Sequence, residues 1–157
     1  MVPEGVRRYL RHGLAATPIV LERLCVGVTE QDLDRRPDPE RFTLREALAH
    51  LADWEGVWLD RMTRMRREDH PFLESFDEGQ WAIDHDYAHS NAAEQLIRFR
   101  AGREKISALL NELTDDEWER TGNREEIGSV TILDFAVLVL GHDGYHLRQF
   151  VEYRPIN

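Results

Sequence analysis

Apolar residues recur at helical spacing in four long stretches of this chain, separated by polar breaks marked with proline or glycine. Between Glu4 and Val26, the residues Val6, Leu10, Leu14, Leu21 and Leu24 predict a first helix. Pro18 falls inside it, and a proline there removes one backbone donor and crowds the preceding turn, so a kink or restart is expected near Thr17. Thr29-x-x-Asp32 predicts a short capped turn, and Arg36-Pro37-Asp38-Pro39 breaks the chain. Thr43-Leu44-Arg45-Glu46 has the form of a capping box, in which threonine and glutamate each satisfy a free backbone donor, with Phe42 as a hydrophobic staple. The second helix runs from there to about Glu68 on Leu44, Leu48, Leu51, Trp58, Met62 and Met65. His50, Trp54 and Trp58 follow at intervals of four along the flank of that stripe, so His50 faces inward or nearly so.

Residues 70 to 90 read as a long linker. Pro71, Phe72 and Phe76 predict that it packs on the helices, and Asp77 is placed to cap a short helix through Trp81 to Tyr87. A third helix opens at Asn91-Ala92-Ala93-Glu94, again in capping-box form, and continues to about Leu113 with Leu96, Phe99, Ile106, Leu109 and Leu110 as its apolar positions. Thr114-Asp115-Asp116-Glu117 caps a turn through Trp118, and Gly122, Asn123 and Gly128 mark a loop between Arg120 and Val130. Thr131-x-x-Asp134 caps a fourth helix that reaches Tyr153 and stops at Arg154-Pro155. From Ile132 to Leu140 only Asp134 is not apolar, so this helix is expected to be enclosed on most of its circumference.

The pattern predicts an all-α fold, a four-helix bundle forming a single domain over residues 1–157, with two helix-pair halves and a packed linker between helices two and three. Each half is a helix, a threonine-capped turn, a loop and a threonine-capped helix. Aligning Thr43 with Thr131 sets His50, Trp54 and Trp58 opposite Leu138, His142 and His146, and brings the second helix of each half together in the core.

Candidate chemistry enters with His142 and His146. Four residues apart on a helix, they share one face and lie close enough to hold one metal ion. With seven histidines in the chain the spacing alone is weak, and a second pair, His85 and His89, exists with His70 nearby. Asp84 and Asp86 mark that second group as a solvated face. The first pair differs in its setting, because two neutral imidazoles in an apolar stripe are costly unless both ring nitrogens find partners.

Composition narrows the function classes. A net charge of −10 argues against nucleic acid as a partner, and the nearest basic run, Arg61 to Arg67, ends a predicted helix, where cations complement the dipole. No apolar run approaches the ~20 residues needed to cross a bilayer, so no membrane association is expected. Met1 to Leu10 has no apolar signal region, and Cys25 stands alone, which together point to the cytoplasm. Cys25 itself reads as packing.

At this point the residues resemble a known family. A histidine early in helix two, within Leu48-Ala49-His50-Leu51-Ala52-Asp53-Trp54-Glu55, and His142-x-x-x-His146 near the C-terminus look like the DinB and YfiT-like superfamily of metal-dependent enzymes. Asp38-Pro39-x-x-Phe42-Thr43-Leu44-Arg45-Glu46 and Phe99-Arg100-Ala101 extend the resemblance over nearly the whole chain. It implies a four-helix bundle, commonly a homodimer, with one divalent metal ion, nickel or zinc first and manganese or iron next, held by His50, His142 and His146. It also implies a small-molecule substrate, with some relatives acting as thiol-dependent S-transferases on a low-molecular-weight thiol cosubstrate and others as hydrolases.

The residues weigh these chemistries. A zinc protease needs a glutamate directly after its first histidine, and His142 is followed by Asp143-Gly144. A di-iron carboxylate bundle needs Glu-x-x-His on two helices, a pair this chain lacks. Activation of an external thiol needs no protein base beyond a metal, which tilts the sequence toward transfer. Catalytic residues beyond the histidines are not identified. Asp53 and Asp143 are candidates for orienting the imidazoles, against the plainer reading as solvent-facing helix residues. Trp54, Trp58 and Tyr145 are candidates for pocket walls, against ordinary core packing. Two rival readings are a non-catalytic metal-binding or stress-response bundle, and a metal-free cluster of hydrogen-bonded core histidines.

Overall fold

A computed structural model describes residues 2–154 of the chain. Four long helices carry the architecture: α1 (Glu4–Cys25), α3 (Leu44–Arg67), α5 (Ala92–Glu112) and α7 (Ile132–Tyr153). Short helices α2 (Glu30–Asp34), α4 (Glu78–Asp84) and α6 (Asp115–Trp118) lie in the connections. Within the bundle α3 packs against α5 and α7, and α1 packs against the same two. Consecutive long helices of each half therefore lie diagonally, and α3 and α7, the second helices of the halves, meet as the aligned threonine caps predict.

The caps explain the boundaries. Thr29, Thr43, Thr114 and Thr131 each accept a bond from the backbone N–H three residues on, and Asp32, Glu46, Glu117 and Asp134 each accept from the threonine N–H. Asn91 caps α5 through Glu94 N–H alone, without the return bond that the sequence reading assigns to it. The cap of α4 is Asp77, as expected, but the helix runs Glu78–Asp84 and a separate 3₁₀ turn covers Tyr87–His89. Pro155, the expected stop for α7, lies outside the described residues.

Two expectations are corrected. Of the kink or restart expected near Thr17, the restart does not occur: helix α1 is continuous through Pro18. The carbonyl of Leu14, which loses its helical donor to the proline ring, instead accepts a bond from Arg103 Nη1 at 2.9 Å. The second correction is a small sheet where a loop was expected. Strand β2 (Thr121–Arg124) pairs antiparallel with β3 (Gly128–Thr131) and parallel with β1 (Phe72–Leu73) from the linker. Gly122 and Asn123 are poor strand formers, and the glycine is tolerated for a steric reason: a Cβ there would lie 2.9 Å from Met65 Cγ and 3.0 Å from Leu73 Cδ1. Glycine lets the strand press against the end of α3.

The core falls into two apolar clusters. One gathers Leu14, Trp54, Trp58, Met62, Ile106, Phe135 and Val139, and the other Leu21, Leu44, Leu48, Leu51, Phe99 and Phe150. The polar residues of the site lie among them. Among the described residues no helix is long and apolar enough to cross a membrane.

Candidate metal centre

Helices α3 and α7 present the three histidines to one another. His50 is fully buried, His146 is 4% exposed and His142 is partly buried. One nitrogen from each lies within 4.8 Å of the others, and the ring centroids are 4.7 to 5.1 Å apart. Among the described residues this is the one such cluster of histidine, cysteine or carboxylate groups. The rival histidines are dispersed. His70 bonds Thr121, His85 stacks on Trp81, and exposed His89 pairs with Asp86.

Hydrogen bonding fixes which nitrogens face inward. Gln149, 1% exposed, donates its amide to the Phe42 carbonyl, which leaves its Oε1 to accept from His146 Nδ1 at 3.0 Å. The proton of His146 is thereby placed on Nδ1, and Nε2 keeps its lone pair. His50 and His142 bring their Nε2 atoms 2.8 Å apart, while the Nδ1 of each is buried without a partner.

A hydrogen bond between the two Nε2 atoms uses one lone pair, and among the described residues no donor meets His146 Nε2. A divalent ion would take a lone pair from each of the three. Ligand nitrogens about 2.0–2.1 Å from a tetrahedral ion stand about 3.4 Å apart, so modest side-chain shifts suffice. Three imidazoles suit several first-row metals.

Burial makes these histidines competent ligands at neutral pH. It pushes His50 down to about 2, helped by His142 and His146, and His142 down to about 3, helped by His146 and Arg103. Burial also lowers His146 to about 4, against the raising influence of Gln149. All three are depressed below the ordinary 6.5, so the unfolded chain takes up protons that the folded chain refuses as pH falls through that value. Metal-free protein is therefore expected to lose stability progressively between pH 7.5 and 5. Urea midpoints measured across that range check this, and a flat profile would contradict it.

The candidate neighbours sort by contact. Trp54 and Trp58 are buried and also touch the histidines, Trp54 against His50 at 4.4 Å between rings and Trp58 against His142 at 5.6 Å. Tyr145 is 51% exposed and lines a pocket of about 390 Å³ with Arg41, Phe42, Glu78, His142 and His146. Asp53 and Asp143 bond none of the three imidazoles; Asp143 is buried and Asp53 partly so. Asp53 accepts from Trp81 Nε1, Tyr87 Oη and Arg98 Nη2, fastening the linker to α3. Asp143 enters a second buried cluster. Arg103, on α5, donates to both Glu55 carboxylate oxygens on α3 at 2.6 and 2.9 Å and to both Asp143 oxygens on α7. Thr17 on α1 donates to Asp143 at 2.7 Å, so all four long helices meet there. Burial raises the Glu55 carboxyl, and the Arg103 guanidinium opposes it.

Sequence reasoning missed Glu78, Gln149, Arg41 and this Arg103 cluster. Gln149 is three residues after His146 on the same helical face, a visible signal. Arg103 stands between Phe99 and Ile106 in the apolar stripe, which is another. Glu78 carried none: it arrives from the linker, with Oε2 3.9 Å from His50 Nε2. Arg41 Nε donates to Tyr145 Oη at 3.0 Å across the pocket rim.

The chain is similar in sequence and fold to known proteins. The sequence profile of the DinB superfamily matches residues 14–150. A protein of Oceanobacillus iheyensis, provisionally named a metal-dependent hydrolase, is 26% identical over 130 residues, covering 83% of this chain and 75% of its own. YfiT of Bacillus subtilis, provisionally named in the same way, is 24% identical over 140 residues, covering 88% and 79%. The Bacillus subtilis YfiT structure, described as having an unusual four-helix bundle topology, superposes with a TM-score of 0.91 at 21% identity, over 98% of this chain and 88% of its own. A Streptococcus pneumoniae protein follows with a TM-score of 0.71 at 18% identity, over 94% and 89%. With the profile spanning the bundle and both histidine-bearing helices, the chain belongs to the DinB superfamily.

Proposed function

We propose that this protein is a metal-dependent hydrolase of a small molecule, with one divalent ion held by the Nε2 atoms of His50, His142 and His146. The observation that carries this reading is the pocket that opens on His142 and His146 and brings Glu78 within 3.9 Å of His50 Nε2. Three protein donors leave a coordination position free, as a catalytic site requires and a closed structural site does not. A divalent ion, nickel or zinc before manganese or iron, supplies Lewis acidity there and acidifies the nucleophile.

The chain's own groups do the rest. Glu78 Oε2 accepts a proton from a nucleophile in the pocket; its side chain is about half exposed, and desolvation of the covered part lifts the carboxyl above the usual range, which strengthens it as a base. Arg41 Nε, donating to Tyr145 Oη, leaves the tyrosine hydroxyl proton for a substrate oxygen. Without a glutamate after His142 the sequence tilts toward thiol transfer. Glu78, supplied by the linker, moves hydrolysis ahead, and a low-molecular-weight thiol remains the alternative nucleophile for the same pocket. The homodimer and the cytoplasmic location belong to this proposal.

The test uses a chromogenic ester, with and without cysteine, and metal-loaded parent beside Glu78→Gln. Turnover in water alone, falling about 10²- to 10⁴-fold in the variant, is expected. Turnover that needs cysteine and is untouched by Glu78→Gln would favour thiol transfer instead.

A further inference from the structure

The basic run that ends α3 does not act as one unit. Arg64 pairs with Glu68 and Glu74, and Arg66 with Glu112 and Glu117. Arg61 is 4% exposed, yet among the described residues no carboxylate pairs with it. Its one hydrogen bond goes from Nη2 to the Glu74 carbonyl, and its guanidinium lies 5.7 Å from the Trp58 ring and 5.3 Å from the Phe76 ring. A buried charge in that state is costly, because burial removes water and supplies no counter-ion.

A second cation faces the same space. Arg124 on β2 lies over the Trp58 ring at 6.0 Å, and its Nε is buried without a partner. Ser75 Oγ in the linker is a third buried polar atom without a partner. These three side chains line one cavity of about 30 Å³ together with Trp54, Phe76 and the carboxylates Glu78 and Glu126. The carboxylates nearby do not neutralise it. Glu126 meets only the outer Nη2 of Arg124, at 3.4 Å, and Glu126, Glu74 and Glu78 are each more than half exposed, where water screens them. Burial and Arg124 together hold the Arg61 guanidinium below its usual range despite Glu74, Glu126 and Asp60.

We propose that Arg61, Arg124 and Ser75 bind one small monovalent anion of halide size in the cavity between α3, β2 and the linker. Arg124 Nε and Ser75 Oγ are buried without a partner beside a guanidinium that no carboxylate bonds, and the volume admits one or two water-sized species but no organic ligand. The anion joins α3 and β2 to the segment 74–78, which delivers Glu78 to the histidines. Its binding fastens that segment, whatever reaction the histidines support.

The test is thermal unfolding in sodium bromide against sodium gluconate at equal ionic strength, up to about 0.1 M, so that general screening is matched. In the parent, bromide should give a saturable stabilisation. At ten times its half-saturating concentration the folded form should be favoured about tenfold over gluconate. Arg124→Gln should abolish the difference, and crystals of the parent soaked in bromide should show an anomalous peak between Arg61 and Arg124. Equal midpoints in both salts, an undiminished response in Arg124→Gln, or no peak in that cavity would each overturn the proposal. The crystal readout stands even where the variant fails to fold.

Discussion

Arg103→Ala is expected to destabilise the folded protein by about 3–5 kcal/mol, the typical cost of breaking a buried ion pair from one side. Arg103 is 1% exposed, and its loss leaves Glu55 and Asp143, 2% and 1% exposed, as two like charges without a counter-ion. The Leu14 carbonyl, already deprived of its helical donor by Pro18, loses its replacement as well. Against a typical total stability of about 5–15 kcal/mol, this is a large share. Adding Glu55→Gln and Asp143→Asn to an Arg103→Met background should recover part of it, because the uncompensated charges are then gone. Urea unfolding of the three proteins checks both statements, and a loss under about 1 kcal/mol for Arg103→Ala would contradict the role given to the cluster.

The second large effect concerns His146. Replacing it with alanine leaves two histidine ligands, and metal affinity is expected to fall by more than the about 10- to 100-fold typical of losing a ligand's hydrogen-bond partner. Gln149→Ala is the comparison, because it removes the group that fixes the His146 proton on Nδ1 and leaves every ligand in place. Its loss should lie within that about 10- to 100-fold range. Competition titration against a chelator of known affinity ranks the parent, Gln149→Ala and His146→Ala in that order. Equal affinity for His146→Ala and parent would remove His146 from the ligand set.

Much of this architecture is legible in the sequence because it rests on local rules. The threonine caps at 43 and 131 set where α3 and α7 begin, and helical periodicity then carries His50, His142 and His146 to one place. What escapes is chemistry brought from a distance. The strand at Thr121–Arg124 exists because Gly122 permits close approach to Met65 and Leu73, which no propensity scale registers. The continuous α1 depends on Arg103, 89 positions after Leu14, supplying a donor that Pro18 removes. Asp143 follows His142 in sequence, but a helical step of about 100° turns it toward Arg103, away from the cluster. Glu78 reaches the histidines on a linker whose path is set by Asp53 and its bonds to Trp81 and Tyr87.

The most direct test of the metal centre is elemental analysis of untagged protein purified without chelator, beside a His50→Ala variant that breaks the cluster from α3. About one divalent ion per chain in the parent and a loss in the variant is the expected result. Parent protein that carries no metal and takes up none on reconstitution would contradict it, leaving the three histidines as a hydrogen-bonded core cluster.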